Sequence, residues 1–153
     1  MMSVRISKSV RVDAPVEQVF AYIANWRNTT RIQPEFRTFQ PLNAEEVSVG
    51  VELQAQGRFY GLPITVRLKV VEFEPNQRMV TEVNGGLRSL NAWLFEPLGA
   101  QQTKLIFVNE YALPGVLQRL VGGNGFVQRE VARMTEHALL AVKAEVEAAS
   151  REG

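Results

Sequence analysis

The chain contains no cysteine, one histidine (His137) and one aspartate (Asp13). Without cysteine there are no disulfides, thiolate nucleophiles or Cys-based metal sites. A Ser-His-Asp triad would have to use that one His–Asp pair, and no serine stands in a nucleophile-elbow context. Zinc asks for three or four His, Cys or carboxylate ligands, so neither a bound metal nor a cofactor is expected. No apolar run approaches the ~18 residues of a membrane span, so integral membrane association is not expected either. Met1 to Val12 has no apolar core of signal-peptide type. Seventeen Lys and Arg face sixteen Asp and Glu, a net charge of +1. That balance gives nucleic acid no electrostatic footprint. These absences suit a cytoplasmic protein. Its 153 residues, 46% of them hydrophobic, suffice for one domain with a real core, spanning 1–153.

What is present is mostly a period of two. Val4, Ile6, Val10 and Val12 alternate with polar residues, the pattern of a half-buried strand. Asp13 or Ala14 then caps a helix, with Pro15 in its first positions and Glu17 near its positive end. Val16, Val19, Phe20 and Ile23 form its buried face. Trp26 and the polar segment 27–33 make a second short helix or a loop, closed by Pro34. Strands are expected over 36–42, 47–55, 64–73, 77–83, 87–95 and 103–111, joined by short turns at 43–46, 57–63, 74–76, 84–86 and 97–102. Asn84-Gly85-Gly86 is the strongest hairpin signal. Hairpin-length connections mean an antiparallel sheet, and no βαβ unit or phosphate-loop motif appears.

The chain closes on a long helix. After Pro114 and the interruption at Gly122, Gly123 and Gly125, the segment from Phe126 to Ser150 has neither Pro nor Gly. At helical period Val127, Val131, Met134, Ala138, Ala141, Val142 and Ala149 share one face, with Leu139 and Leu140 on the outer side. Such a stripe needs a sheet to cover it. Helices segregated onto one face of an antiparallel sheet make the fold α+β. Leu139 and Leu140 would touch the first helices or a second subunit, the one hint of a homodimer.

Four stretches carry a family resemblance. They are Asp13-Ala14-Pro15-Val16-Glu17-Gln18-Val19-Phe20 with Trp26; Gly61-Leu62-Pro63 leading to Val71-Glu72-Phe73-Glu74-Pro75; Trp93-Leu94-Phe95-Glu96-Pro97 with 103–111; and Leu113-Pro114-Gly115 before the helix bearing Leu140, Lys143 and Glu147. Together they resemble the START-like, or Bet v 1-like (SRPBCC), superfamily, and within it bacterial polyketide cyclase/dehydrase and lipid-transport type proteins. The resemblance implies a helix-grip fold: a curved antiparallel sheet of about seven strands wrapped around the C-terminal helix, with two short helices after strand 1. It also implies an elongated apolar cavity between sheet and helix. Relatives hold lipids, sterols, plant hormones or aromatic polyketide intermediates, and some act on them chemically.

Candidate site residues follow from which strand faces turn inward. The last two strands offer Leu87, Ser89, Asn91, Trp93, Phe95 with Leu105, Phe107, Asn109, Tyr111, or the opposite parity. In chains of this type Trp93 and Phe95 correspond to inward positions, which favours the first set. Asn91, Asn109 and Tyr111 are then polar groups in an apolar hollow, and buried polar groups need a partner: each other, water or a ligand. Tyr22 stands at the edge of the first helix's stripe, either at the cavity mouth or packed. Tyr60 lies in the glycine-flanked connection 57–63, where an aromatic can gate a pocket or simply pack. Phe126, Val127, Glu130, Met134 and His137 would face the hollow or its mouth from the terminal helix.

For catalysis the candidates are Arg67, Arg88, His137 and Tyr111. In aromatase/cyclase relatives a cavity arginine is assigned to oxyanion stabilisation, but Arg67 and Arg88 both alternate with apolar residues that claim the inner face. His137 flanks the apolar stripe as a general base or a rim residue. Glu35 reads as a loop charge. The best-supported function is binding or transport of a hydrophobic small molecule. A polyketide cyclase or dehydratase comes second, and a protein-interaction module with a collapsed cavity third.

Overall fold

In the computed structural model the described residues are 2–59, 61–84, 88–113 and 124–152. Tyr60, the Gly85-Gly86 turn and the segment 114–123 lie outside them. Seven strands form one antiparallel sheet: β1 (Met2–Val12), β2 (Phe36–Pro41), β3 (Glu52–Phe59), β4 (Leu62–Glu74), β5 (Arg78–Asn84), β6 (Arg88–Gly99) and β7 (Gln102–Leu113). Their order is β1-β7-β6-β5-β4-β3-β2. Helix α1 (Val16–Ala24), a 3-10 turn at Trp26–Asn28 and α2 (Thr29–Ile32) connect β1 to β2, and α3 (Asn124–Glu152) closes the chain. The helix-grip fold expected from the sequence is the fold observed.

Register shifts fall at Phe36/Thr38, Val70/Glu72 and Pro97/Gly99. Such bulges bend a strand and raise its twist, which lets the sheet curve around a helix. Asn76, at φ 65°, makes the tight β4–β5 turn, and Asn tolerates that left-handed conformation.

Three local expectations change. The expected strand 47–55 does not begin at Val47. Gly50 adopts φ +90°, its N–H donates to the Val70 carbonyl at 2.8 Å, and the alternation before Val51 belongs to a loop with Val49 exposed. The far end of β3 instead runs on through Gly57 to Phe59 and β4 begins at Leu62, so most of the expected connection 57–63 is strand. Asp13, expected as the α1 cap, is not one. Pro15 occupies that position with no side-chain cap, while the Asp13 carboxylate accepts from Gln102 Nε2 at 3.0 Å and its N–H donates to Glu147 Oε2 at 2.8 Å.

The core has two parts. In one, Phe20 stands edge-on between Phe73 (centroids 5.3 Å) and Phe95 (5.0 Å), with Val12, Val19, Leu105, Leu139, Val142 and Val146 around it. The other holds Val51, Leu53, Ala55, Leu68, Val70 and Val83 on the inner face of β3–β5. Along α3 the buried line is Thr135, Ala138, Leu139, Val142 and Val146, a 3-4 spacing. Leu139, assigned from sequence to the outer side, is fully buried, and Ala149 is exposed. The stripe sits off the expected centre because the helix packs against α1 and α2 as well as over β1 and β7 of the sheet. Leu140 remains exposed.

Polar contacts fix the second half of α3. Lys143 Nζ donates to the Arg11 carbonyl and to Glu147 Oε2, both at 2.7 Å. With the Asp13 N–H they hold the Glu147 carboxyl below the usual carboxylate range. Thr103 Oγ1, wholly buried, donates to the Ala14 carbonyl at 2.9 Å. This corner anchors the helix where β1 ends.

Candidate functional site

The first half of α3 meets the sheet less closely, and a chamber of about 180 Å³ remains. Its walls are Val66 and Leu68 of β4, Val83 of β5, Ser89 and Asn91 of β6, and Phe107, Asn109 and Tyr111 of β7. Val131, Met134 and Thr135 of α3 cover it, and Gln33, Glu35 and Phe36 close one side. A second space of about 50 Å³ lies beneath α1 and α2 beside Ile23, Trp26, Met79, Thr81 and Trp93. Gln33, Leu68, Asn91 and Phe107 line both.

The inner face of β5–β7 is ordered by register. Trp93 lies opposite Phe107, and the rings stack at 3.7 Å between centroids and 5° between planes. Two residues along, Asn91 pairs with Asn109 on one side and Thr81 on the other; two further, Ser89 pairs with Tyr111. Because side chains alternate, these rows share one face: an aromatic floor at one end and hydrogen-bonding groups at the other.

The polar end is incompletely satisfied. Asn109 Nδ2 donates to Thr135 Oγ1 at 2.7 Å, and that hydroxyl donates to the Val131 carbonyl at 2.6 Å. Asn91 makes no side-chain hydrogen bond among the described residues. Tyr111 is 3% exposed, and its hydroxyl is buried with no partner among the described residues. Burial pushes its pKa up. A hydroxyl removed from water without a replacement bond is unfavourable, and this one borders a space large enough to hold what is missing.

Beyond Glu35 and Met134, which line both spaces, the chamber adjoins an open groove of about 330 Å³ bounded by Pro34, Arg58, Glu130, Arg133 and His137. Glu35 is half-buried. Loss of water raises its carboxyl pKa, against the opposing pull of its own backbone N–H, His137 and Arg133. Gly57 sets its position: a Cβ there would overlap the Glu35 carbonyl oxygen and stand 2.8 Å from Phe36 Cα. The Arg58 N–H donates to that carbonyl at 3.0 Å. Arg133 and Glu130 pair at 2.8 Å.

The remaining sequence candidates are placed as follows. Phe107, Asn91, Asn109, Tyr111 and Met134 line the chamber, while Trp93 stacks on Phe107 and lines the smaller space beneath α1 and α2. Tyr22 borders neither chamber space. It packs on the core with its hydroxyl buried and unpartnered, and its pKa is pushed up to about 12 by burial, then by Glu145, with Arg31 opposing. Phe126 is exposed on the first turn of α3 and borders neither space. Arg67 and Arg88 are exposed on the strand parity opposite Val66, Leu68 and Ser89, so neither guanidinium enters the chamber. His137 is exposed in the groove. Sequence reasoning missed Thr135, whose polarity within an apolar stripe was a usable signal, and Glu35, whose setting depends on a glycine twenty-two positions away. Among the described residues no group of three His, Asp or Glu gathers to hold a metal, and no helix is long and apolar enough to cross a membrane.

The family model described as polyketide cyclase / dehydrase and lipid transport matches residues 3–147. No curated protein matches in sequence. Among solved structures, the Zhui aromatase/cyclase from Streptomyces sp. R1128 superposes with a TM-score of 0.80 at 16% identity, over 95% of this chain and 94% of that one. A START superfamily protein from Mycobacterium smegmatis gives 0.74 at 18% identity, over 94% and 97%. The di-domain ARO/CYC StfQ from the steffimycin biosynthetic pathway gives 0.80 at 14% identity, over 97% of this chain and 52% of that one. At these identities the likeness is one of fold.

Proposed function

Because the chain belongs to the polyketide cyclase/dehydrase and lipid transport family, we propose that it binds a hydrophobic small molecule in the chamber between sheet and α3. One observation carries the reading: the Tyr111 hydroxyl is buried and unpartnered at the wall of a 180 Å³ space. A ligand needs apolar surface for affinity and a few placed polar groups for orientation. Phe107, Val131 and Met134 supply the first, with Trp93 stacked behind Phe107; Asn91, Asn109 and Tyr111 supply the second. About 150 Å³ of apolar cavity admits a benzene ring, so the chamber takes one ring or a short chain without rearrangement. Larger ligands require α3 to move at its less anchored end.

Trp93 reports occupancy. Aromatic and short-chain ligands are expected to change its fluorescence saturably and to raise the melting temperature. Tyr111→Phe should weaken those with a hydroxyl or carbonyl more than plain hydrocarbons. A panel that leaves both Trp93 emission and melting temperature unchanged overturns the reading.

The cyclase or dehydratase alternative loses Arg67 and Arg88, which lie outside, and keeps Tyr111 with Glu35 as its acid–base stock. The interaction-module alternative required a collapsed cavity and an apolar outer face on α3. The open chamber and the burial of Leu139 both count against it. We read residues 1–153 as one START-like domain of a cytoplasmic protein. Leu140 is the contact to mutate if a dimer forms.

A further inference from the structure

The groove beyond Glu35 holds charges that a purely apolar ligand would not use. Glu130 and Arg133 are paired with each other at 2.8 Å. Arg58 donates to the Gly61 carbonyl at 3.0 Å, which engages one of its five N–H groups, and no carboxylate pairs with it among the described residues. Glu35 lines both the apolar chamber and the groove that Arg58 borders. Its backbone is held by the Arg58 N–H and by the absence of a side chain at Gly57.

We propose that this neck is a carboxylate subsite: a compact organic acid seats its ring or short chain in the chamber and its carboxylate against Arg58, sharing one proton with Glu35. The inference rests on the binding function above and names the ligand class. The geometry requires a molecule with its charge at one end, since the chamber admits about one ring and the guanidinium lies past its rim. A second carboxylate beside Glu35 would meet a like charge unless one of the two is protonated. Glu35 is the group to take that proton, since loss of water already raises its carboxyl pKa. The other charged or titratable groups lining the groove are Arg58 from β3 and Glu130, Arg133 and His137 from α3, of which His137 and Arg133 act on the Glu35 carboxyl. Binding therefore takes up a proton and strengthens as pH falls, until the ligand itself is protonated. A cation would instead meet Arg58, Arg133 and His137 and is disfavoured.

The probes are phenylacetate, its methyl ester and phenethylamine, followed by calorimetry and amide chemical shifts. The acid is expected to bind most tightly, with an enthalpy that depends on the buffer's ionisation heat. Arg58→Gln should bring the acid down to the ester's affinity, a loss of about tenfold or more, and leave the ester unaffected. Glu35→Gln should abolish the buffer dependence while retaining acid binding. Arg58→Lys, which keeps the charge without the fork, should recover part of the loss. Unfolding curves of each variant show that the fold is intact. If ester and acid bind equally, or the amine binds best, the carboxylate subsite is wrong while the chamber's binding function stands. If none of the three binds, both fall.

Discussion

Among the described residues two tyrosine hydroxyls are buried without a partner, and replacing each by phenylalanine separates a packing role from a binding role. Tyr22 packs between the first helix and the core, bordering neither chamber space; Tyr111 lines the chamber. Leaving a buried hydroxyl unsatisfied costs ~1–3 kcal/mol. Tyr22→Phe removes that cost without opening a cavity and should stabilise the protein by about 1 kcal/mol, or roughly 2–4 °C for a chain of this size. Tyr111→Phe should gain less than Tyr22→Phe, because water in the chamber can serve the wild-type hydroxyl, and it should weaken oxygen-bearing ligands several-fold. Urea unfolding with an unchanged m-value reads the stability difference. Alkaline titration supplies an independent check. Tyr22 titrates at about 12 against its ordinary 10.0, so the folded state holds the proton longer than the unfolded chain. That contribution to stability is intact below pH 10.0 and declines as pH rises towards about 12. Tyr22→Phe should lack that decline and lose the phenol that titrates at about 12 from the ultraviolet spectrum. A Tyr22→Phe protein less stable than wild type by about 1 kcal/mol would refute the reasoning, because the hydroxyl would then have a partner worth keeping.

Other substitutions test the frame around the chamber. Gly57→Ala forces a Cβ into the Glu35 backbone and should cost about 1–3 kcal/mol while shifting the amide resonances of 33–37; an unchanged spectrum would dismiss the contact. Glu147→Gln removes the charge shared by Lys143 and the Asp13 N–H, for a loss of about 1–3 kcal/mol at neutral pH. Because the Glu147 pKa lies below its usual 4.5, the wild type keeps this stabilisation above 4.5 and loses it as pH falls through the lowered value. The variant should show no such limb, and parallel acid unfolding curves would contradict the account. Glu35 has the opposite sign. Its raised pKa makes wild-type stability fall as pH rises from 4.5 through the higher folded value, and Glu35→Gln should flatten that segment of the profile.

The fold was legible because its signals are local. Period-two runs with Gly, Pro and Asn punctuation gave six of the strands after the first helices, and the clustering of Ser89, Asn91, Trp93, Phe107, Asn109 and Tyr111 on one face followed from alternation plus the aromatic pair. Errors arose where a distant contact overrides a local pattern. Leu139 looked external on a wheel drawn for one packing surface, yet α3 rests on the first helices as well as on the sheet. Asp13 had a cap's sequence context, but Gln102 and Glu147 reach it first. Val47 to Val51 alternate as a strand does, and the positive φ of Gly50 breaks them into a loop. Glu35 was the most consequential miss. Nothing next to a glutamate in a Pro-Glu-Phe loop announces that a glycine of β3 and a helix a hundred residues on will half-bury it.

The strand order also dictates how the chain can assemble. β2 to β7 form a meander in which each hairpin pairs neighbours, whereas β1 must wait for β7: Val12 meets Thr103 and Met2 meets Leu113. Long-range closure of this kind is slow, since the loop entropy is lost before contacts compensate. During synthesis the first strand and helices therefore emerge long before their partner exists. Until they dock, β7 is a twelve-residue edge whose inner face carries Leu105, Phe107 and Tyr111, the kind of open template on which chains join one another. Mutations at the β1–β7 seam should accordingly reduce soluble yield more than they reduce the stability of the protein that does fold.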